Sequence, residues 1–279
     1  MQKEDLKKVH LAQLDLLIEL KRVCDKNGIK FWLAYGSMLG AVRHKGFIPW
    51  DDDLDVAMTR ADYKKLRAAC DKDLDPEYEY QDWDVDPAFG FGYAKLRIRG
   101  THFVEQNAVD SSAHNGIFID IFPYDNGAPS IEEEKKDEKL FYVLKRRILA
   151  KNGYMPADAG LIKRIAYFAM KHCPGSVDSL KKKIEKKIEE RAGQSSDYLI
   201  CHYGAYGYMK ERMPGSIFSE IVDCEFEKNV MPIPVGYKEY LTQLYRDYMQ
   251  FPPESERENR HCIVELDFGS YKIRSTEGC

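Results

Sequence analysis

Ala34-Tyr35-Gly36-Ser37-Met38-Leu39-Gly40-Ala41-Val42-Arg43-His44-Lys45-Gly46-Phe47-Ile48-Pro49-Trp50-Asp51-Asp52-Asp53-Leu54-Asp55-Val56 is the stretch that decides the fold. Four carboxylates fall within five residues, at Asp51, Asp52, Asp53 and Asp55. On a β-strand Asp51, Asp53 and Asp55 share one face while Leu54 and Val56 share the other. Three like charges on one face repel unless a cation sits among them, and hard oxygen donors suit Mg²⁺ or Mn²⁺. Upstream, the aromatic run Phe31-Trp32-Leu33-Ala34-Tyr35 ends at Gly36-Ser37 and a helix-compatible segment follows. Strand, Gly-Ser turn and helix N-terminus together form a cradle for phosphate. Runs of Asp are ordinary in solvated loops, but here Asp53-Leu54-Asp55-Val56-Ala57-Met58 continues into apolar sequence, which a solvated loop does not do. A phosphate cradle beside an acidic strand is the equipment of phosphoryl or nucleotidyl transfer.

A further carboxylate belongs with these. Asp120 lies inside Ile117-Phe118-Ile119-Asp120-Ile121-Phe122, a run that ends at Pro123. An ionised, unpaired Asp among buried apolar residues is very costly, so Asp120 is neutral, paired or bound to metal. One alternative is a buried Asp that ties neighbouring strands by hydrogen bonds. Taken with Asp53 and Asp55, the metal role is favoured: two carboxylates from one strand and a third from another can hold one or two Mg²⁺ ions. The third is placed to orient and deprotonate an attacking hydroxyl.

Around this core the sequence predicts an α+β protein: a small mixed sheet flanked by helices, with a largely helical C-terminal part. Residues 4–26 carry Leu6, Leu14, Leu17, Ile18 and Val23 at helical spacing before Asn27-Gly28. Thr59 and Asp62 are cap candidates for the helix after the acidic strand (53–58). Further strands are expected at 77–83, 91–98 and 116–122. Helices follow at 131–151, 160–172 and 177–192, a β-rich stretch at 198–230, a helix at 237–249 and a strand at 262–268. The expected division is 1–28, an N-terminal helix packing on the core; 29–126, the catalytic core; and 127–279, completing the site. The Lys-rich segment 181–190 pairs Lys with Glu four apart, as a solvated helix face does. A basic patch facing anionic lipid or a polyanionic acceptor is the other reading.

Composition narrows the function. The 279 residues are 44% hydrophobic with a formal charge of −4, which argues against a general nucleic-acid binder. Seven scattered cysteines (Cys24, Cys70, Cys173, Cys201, Cys224, Cys262, Cys279), never spaced Cys-x-x-Cys, fit free thiols in a reducing cytosol and not a zinc site. The N-terminus shows no apolar signal region and nothing approaches the ~20 apolar residues of a membrane span. A soluble cytoplasmic protein is expected, with at most peripheral contact at the inner face of the membrane. The seven histidines, His44 and His261 among them, show no metal-ligand spacing.

The string from Tyr35 to Asp55 resembles the LicD family, which belongs with the DNA polymerase β-type nucleotidyltransferases and is related to the fukutin-type polyol-phosphate transferases. The resemblance extends through Lys95-Leu96-Arg97, Ile119-Asp120-Ile121-Phe122-Pro123, and Leu244-Tyr245-Arg246-Asp247-Tyr248-Met249 with Pro252-Pro253. It is thin between 127 and 195. One departure is Arg246, where the family usually has Gly, which bears on the local turn. The resemblance implies a metal-dependent transferase that moves phosphocholine, or a related phosphoalcohol, from CDP-choline or a similar donor to a hydroxyl of a cell-surface glycan or lipid-linked precursor. It implies that Asp53, Asp55 and Asp120 bind Mg²⁺ (or Mn²⁺) and that Gly36 and Ser37 hold phosphate oxygens. Arg43, Lys45, Lys95 and Arg97 are candidates to neutralise phosphate charge; for Lys45 and Lys95 surface solubility is an equal reading. A choline cation needs an aromatic cage, for which Phe47, Trp50, Trp83, Phe89, Phe91, Tyr93 and Tyr124 are near in sequence; most of these are core residues. Two other functions use the same core: nucleotidyl transfer from a nucleoside triphosphate with release of pyrophosphate, and a catalytically silent binding module.

Overall fold

A computed structural model describes residues 1–157, 159–259 and 261–275; Cys279 lies outside them. Helix α1 (Lys3–Asn27) buries Leu6, Val9, Leu16, Leu17, Leu20 and Val23 along one stripe. It stops at Gly28, whose left-handed φ of 63° lets the chain leave the helix without a Cβ clash. Next come β1 (Trp32–Leu33), α2 (Tyr35–His44), β2 (Asp55–Thr59) and α3 (Arg60–Asp73). Thr59 caps α3, its side chain accepting from the backbone N–H of Asp62. Then follow β3 (Tyr78–Gln81), β4 (Ala94–Ile98), β5 (His102–Glu105) and β6 (Phe118–Asn126).

The central sheet runs β1-β2-β6-β4-β3, with β2 and β6 parallel and the other pairs antiparallel. Residues Asp55 to Met58 are all buried, because α1 and α3 pack on this sheet and α2 packs against β2. The acidic strand begins at Asp55, two residues later than expected. Asp51, Asp52 and Asp53 therefore precede the ladder, and the strict alternation predicted for Asp51, Asp53 and Asp55 does not apply to the first two. Conversely, β6 runs through Pro123 instead of ending there. Its partner β4 leaves the ladder at Ala94 (opposite Ile121) and β7 joins only at Asp125, so on that flank the missing N–H of proline deserts no partner.

Helices α4 (Ile131–Lys151), α5 (Leu161–His172) and α6 (Val177–Ala192) follow. Phe141, Leu144 and Ile148 of α4 pack against Leu180, Ile184 and Ile188 of α6 in a core of their own. Within the Lys-rich segment, Lys181 is buried and donates to the Trp83 carbonyl, so that part of α6 is not a solvated face. β7 (Tyr198–Ile200), α7 (Tyr208–Glu211) and β8 (Arg212–Pro214) extend the sheet from the end of β6. A hairpin of β9 (Ile221–Phe226) and β10 (Asn229–Pro234) leads into α8 (Tyr237–Tyr245). The last strand, β11 (Ile263–Asp267), pairs with β5, a short strand the sequence reading had not anticipated. The main hydrophobic core is continuous from Val9 of α1 through the sheet to Leu244 of α8.

Candidate active site

The acidic loop is fastened from several sides. His10 and Gln13 on α1 reach the carbonyl oxygens of Asp51 (2.7 Å) and Asp52 (3.0 Å). The Asp55 N–H donates to Ser37 Oγ at 2.8 Å, and the Ala34 N–H donates to the Asp55 carbonyl at 2.9 Å. The Gly-Ser turn thus stitches the first turn of α2 to the start of β2. Ser37 spends its hydroxyl on that stitch and does not line the cavity described below. Gly36 contributes differently: a Cβ there would lie 2.6 Å from Asp51 Oδ2 and push that carboxylate aside. The N-terminus of α2, where the sequence reading placed a phosphate, therefore lies against the Asp51 carboxylate, an anion that the helix dipole favours.

A cavity of about 630 Å³ opens above these residues. Asp53, Asp55 and Asp120 line it together with Asp51, Gly36, Arg43 and Trp50. Asp55 and Asp120 are register partners on the parallel strands β2 and β6, so their side chains leave the sheet on the same face. Carboxylate oxygens of Asp51, Asp52 and Asp53 all lie within 4.8 Å of one another.

This crowding shows in the protonation equilibria. Burial, with the charge of Asp51 behind it, pushes the Asp53 carboxyl up to about 8. Burial and the neighbouring charges of Asp53 and Asp120 raise Asp55 well above the carboxylate range. Asp120 is also raised, burial outweighing the Lys95 ammonium 2.9 Å away. Buried acids of this kind hold protons at neutral pH or share a cation. Among the described residues, Asp51, Asp52 and Asp53 are the acids whose oxygens lie close enough together to share one ion, and as carboxylates they suit a hard divalent one; Asp55 and Asp120 line the same cavity but are not part of that close group. Asp52 Oδ1 is held by His261 Nδ1 at 2.8 Å, and His261 also lies 3.9 Å from Asp53. Burial alone would depress this imidazole, but the Asp52 hydrogen bond and the Asp53 charge carry it up to about 9.

The remaining residues singled out from sequence divide sharply. Lys95 is buried behind Asp120, opposite it in the β4–β6 register, with its Nζ 3.1 Å from the centre of the Phe118 ring. Arg97 is buried too, donating to Gln81 and to the Gly116 carbonyl. Neither lines the cavity. Lys45 points away and pairs with Glu225 at 3.3 Å. Of the basic candidates, Arg43 alone reaches the cavity, held by the carbonyls of Tyr248 and Gln250.

Among the aromatic candidates, Trp50, Phe91 and Tyr93 line the cavity. Phe47 stacks on His10, Phe89 is fully buried, Tyr124 bonds Tyr240 in the core, and Trp83 sits with Tyr203 beside another cleft. Tyr35 and Phe122 line the cavity too, and the rest of the aromatic wall comes from far along the chain, as Tyr203, Tyr206, Tyr245, Tyr248 and Phe251, which sequence proximity could not find. Its signal was the closely spaced tyrosines in 203–206 and 245–248. Glu211, also missed, is buried behind this wall; it accepts from Tyr35 Oη at 2.8 Å and from the Tyr206 N–H, and burial lifts it to about 7.

Residues 28–151, which carry Asp51, Asp52, Asp53, Asp55 and Asp120, match the model of the LicD/FKTN/FKRP nucleotidyltransferase domain. The chain carries a domain of the LicD family. It is 29% identical to the lipopolysaccharide cholinephosphotransferase LicD of Haemophilus influenzae over 273 residues, covering 94% of this chain and 97% of that one. It is 30% identical over 105 residues to the ribitol 5-phosphate transferase FKRP of mouse and of human, a match that covers 37% of this chain and 18% of theirs. Like these LicD relatives, the protein is an enzyme of the transferase class. Arg246 stands at the end of α8 with φ 61° and ψ −113°, a backbone region that favours glycine. The departure noted in the sequence is thus a real strain on the segment that delivers Asp247 and Tyr248 to the cavity.

Proposed function

We propose that the protein transfers a phosphoalcohol, phosphocholine in the first instance, from a cytidine diphosphate donor to a hydroxyl of a cell-surface glycan. The observation that carries this reading is the pairing of Asp55 with Asp120 on the floor of a cavity whose walls are aromatic. Asp53, Asp55 and the Asp120 oxygen not engaged by Lys95 would hold Mg²⁺ or Mn²⁺, which supplies charge neutralisation for the donor's diphosphate. Arg43 at the cavity edge offers a further cation to the same phosphates. Phe91, Tyr93 and Tyr245 line the cavity, and aromatic rings are the groups suited to a quaternary ammonium, which has no hydrogen-bond donor of its own. In the transfer, the glycan oxygen bonds to the phosphorus that bears the alcohol, the bond from that phosphorus to the bridging oxygen breaks, and CMP leaves. The hydroxyl proton passes to Asp120, whose affinity for a proton is raised by burial. The glycan is of the lipopolysaccharide kind named for the Haemophilus relative.

Incubation with Mg²⁺, an acceptor glycan and CDP-choline, CDP-ribitol or a nucleoside triphosphate tests the reading. Release of CMP with label moving from choline to the glycan supports it. CMP from CDP-ribitol alone would keep the reaction and change the alcohol; pyrophosphate from the triphosphate would replace it with nucleotidyl transfer.

A further inference from the structure

Helix α5 is built the wrong way round for a helix of a soluble protein. Its twelve residues, Leu161-Ile-Lys-Arg-Ile-Ala-Tyr-Phe-Ala-Met-Lys-His172, have a strongly amphipathic pattern, yet only Tyr167 is buried. Ile162 (84%), Leu161 (75%), Phe168 (66%) and Ile165 (60%) are the four most exposed large apolar side chains among the described residues. At 100° per residue they form one ridge with Ala169, on the side opposite Tyr167 and Met170, which face α4. Single exposed apolar residues are normal, but a contiguous ridge is not. On neighbouring α4, Tyr142 and Val143 are exposed as well, both at 52%.

The charge on α5 itself is of one sign. From Lys139 to Val177 the sequence holds eight cations (Lys139, Lys145, Arg146, Arg147, Lys151, Lys163, Arg164 and Lys171) and one acidic residue, Asp158, although the whole chain carries −4. On α5 itself Lys163, Arg164 and Lys171 are exposed, and no carboxylate is present. Lys151 and Arg147 bind the carbonyls of Lys171, Cys173 and Pro174, fixing the end of α5 to α4. The ridge is therefore held rigidly outward and is not a loose segment waiting to fold back.

We infer that the α5 ridge docks the enzyme on the surface of a membrane rich in anionic phospholipid. Leu161, Ile162, Ile165 and Phe168 enter the acyl boundary, and Arg164, Lys171 and Arg146 stay at the level of the phosphates. At about 18 Å the helix is too short to span a bilayer, but it has the make-up of helices that lie in the interface about 5–10 Å deep. A second copy of this chain fits less well, because a self-pairing of the ridge brings its cations face to face. Among the described residues no helix is long and apolar enough to cross a membrane. The inference is independent of the donor and of the chemistry at the cavity.

Co-sedimentation of the full chain with vesicles of phosphatidylglycerol and phosphatidylcholine, or of phosphatidylcholine alone, tests it without substrate. Binding to the anionic vesicles is expected, weakening with salt, and falling at least about tenfold in the triple variant Ile162→Glu, Ile165→Glu, Phe168→Glu. These side chains are exposed, so circular dichroism and transfer to a soluble acceptor should be unchanged. The variant Arg164→Glu, Lys171→Glu, which leaves the apolar ridge intact, should lose the preference for anionic lipid. The inference is overturned if the wild type stays in solution with anionic vesicles or if the triple variant binds as the wild type does. Concentration-dependent dimerisation in sedimentation velocity, abolished by the triple variant, would assign the ridge to a second copy instead.

Discussion

Lys95→Met is the most informative perturbation of the acidic floor. Methionine nearly conserves the volume of lysine's stem beside Phe118, so the change removes charge more than packing. It also removes the ammonium 2.9 Å from Asp120 Oδ1, where both side chains are almost wholly buried. At an effective dielectric of ~20 that contact is worth about 6 kcal/mol before desolvation, and breaking one side of a buried pair costs about 3–5 kcal/mol in practice. A second bound comes from proton linkage. Without its cation Asp120 must fold protonated, and holding a carboxyl of ordinary pKa neutral at pH 7 costs about 4 kcal/mol, falling to about 2 kcal/mol at pH 5.5. Since burial already raises Asp120 in the presence of Lys95, part of that cost is present in the wild type. The expected loss for Lys95→Met is then about 2–4 kcal/mol at pH 7.

The pH dependence carries the diagnosis. Urea denaturation followed by circular dichroism should show the gap between wild type and variant narrowing as pH falls toward about 5 and recovering partly when Mg²⁺ is added at neutral pH. In turnover, the Mg²⁺ concentration for half activation should rise more than the KM for the donor, because Lys95 stands behind Asp120 and outside the cavity. A loss of equal size at both pH values would mean that only packing was disturbed. A raised donor KM with unchanged Mg²⁺ dependence would return Lys95 to the role of a direct phosphate contact and refute the reasoning.

Asp53→Asn should lower transfer by several orders of magnitude and, without metal, leave the fold more stable than wild type above about pH 8, the advantage vanishing below about pH 4; denaturation at the two extremes checks it. His202 is buried against Phe141 and held down to about 4, so the unfolded chain binds a proton that the folded one refuses. The wild type should therefore lose about 3 kcal/mol relative to His202→Leu between pH 6.5 and 4, a difference that thermal scans of the two proteins at those pH values read. Arg246→Gly should raise stability by about 1 kcal/mol, strain relief exceeding the added freedom of the unfolded chain, with a higher urea midpoint as the readout.

Elements whose pattern is local were legible in the sequence. The stripe of α1, the Thr59 cap and the apolar frame around Asp120 each follow from residues within one or two turns of one another. The acidic loop misled by its length: three consecutive Asp residues look like a strand start, but His10, Gln13 and His261 hold the first of them outside the ladder, and those partners lie far away in sequence. Lys95 and Arg97 read as phosphate ligands because their charge is visible and their burial is not; alternation on β4 does not help, since both faces of that strand are covered. The Arg246 departure, by contrast, was legible as a sequence oddity and became physical only with its positive φ.

The cavity's two chemistries come from different parts of the chain. The acids sit on β2, β6 and the loop fastened to α1 and α2, all within the matched domain. Much of the aromatic wall comes from 203–206 and 245–251, beyond it. A carboxylate moved by a fraction of an ångström changes the balance of repulsion and cation binding, so the floor tolerates little variation. A wall of tyrosines can exchange one ring for a hydroxyl or an amide without touching that balance. Choice of the transferred alcohol should accordingly follow substitutions at Tyr206, Tyr245 or Phe251 as a change in donor KM, with the Mg²⁺ dependence unaltered. If those substitutions shifted the metal dependence and left the donor preference intact, the division between floor and wall would be wrong.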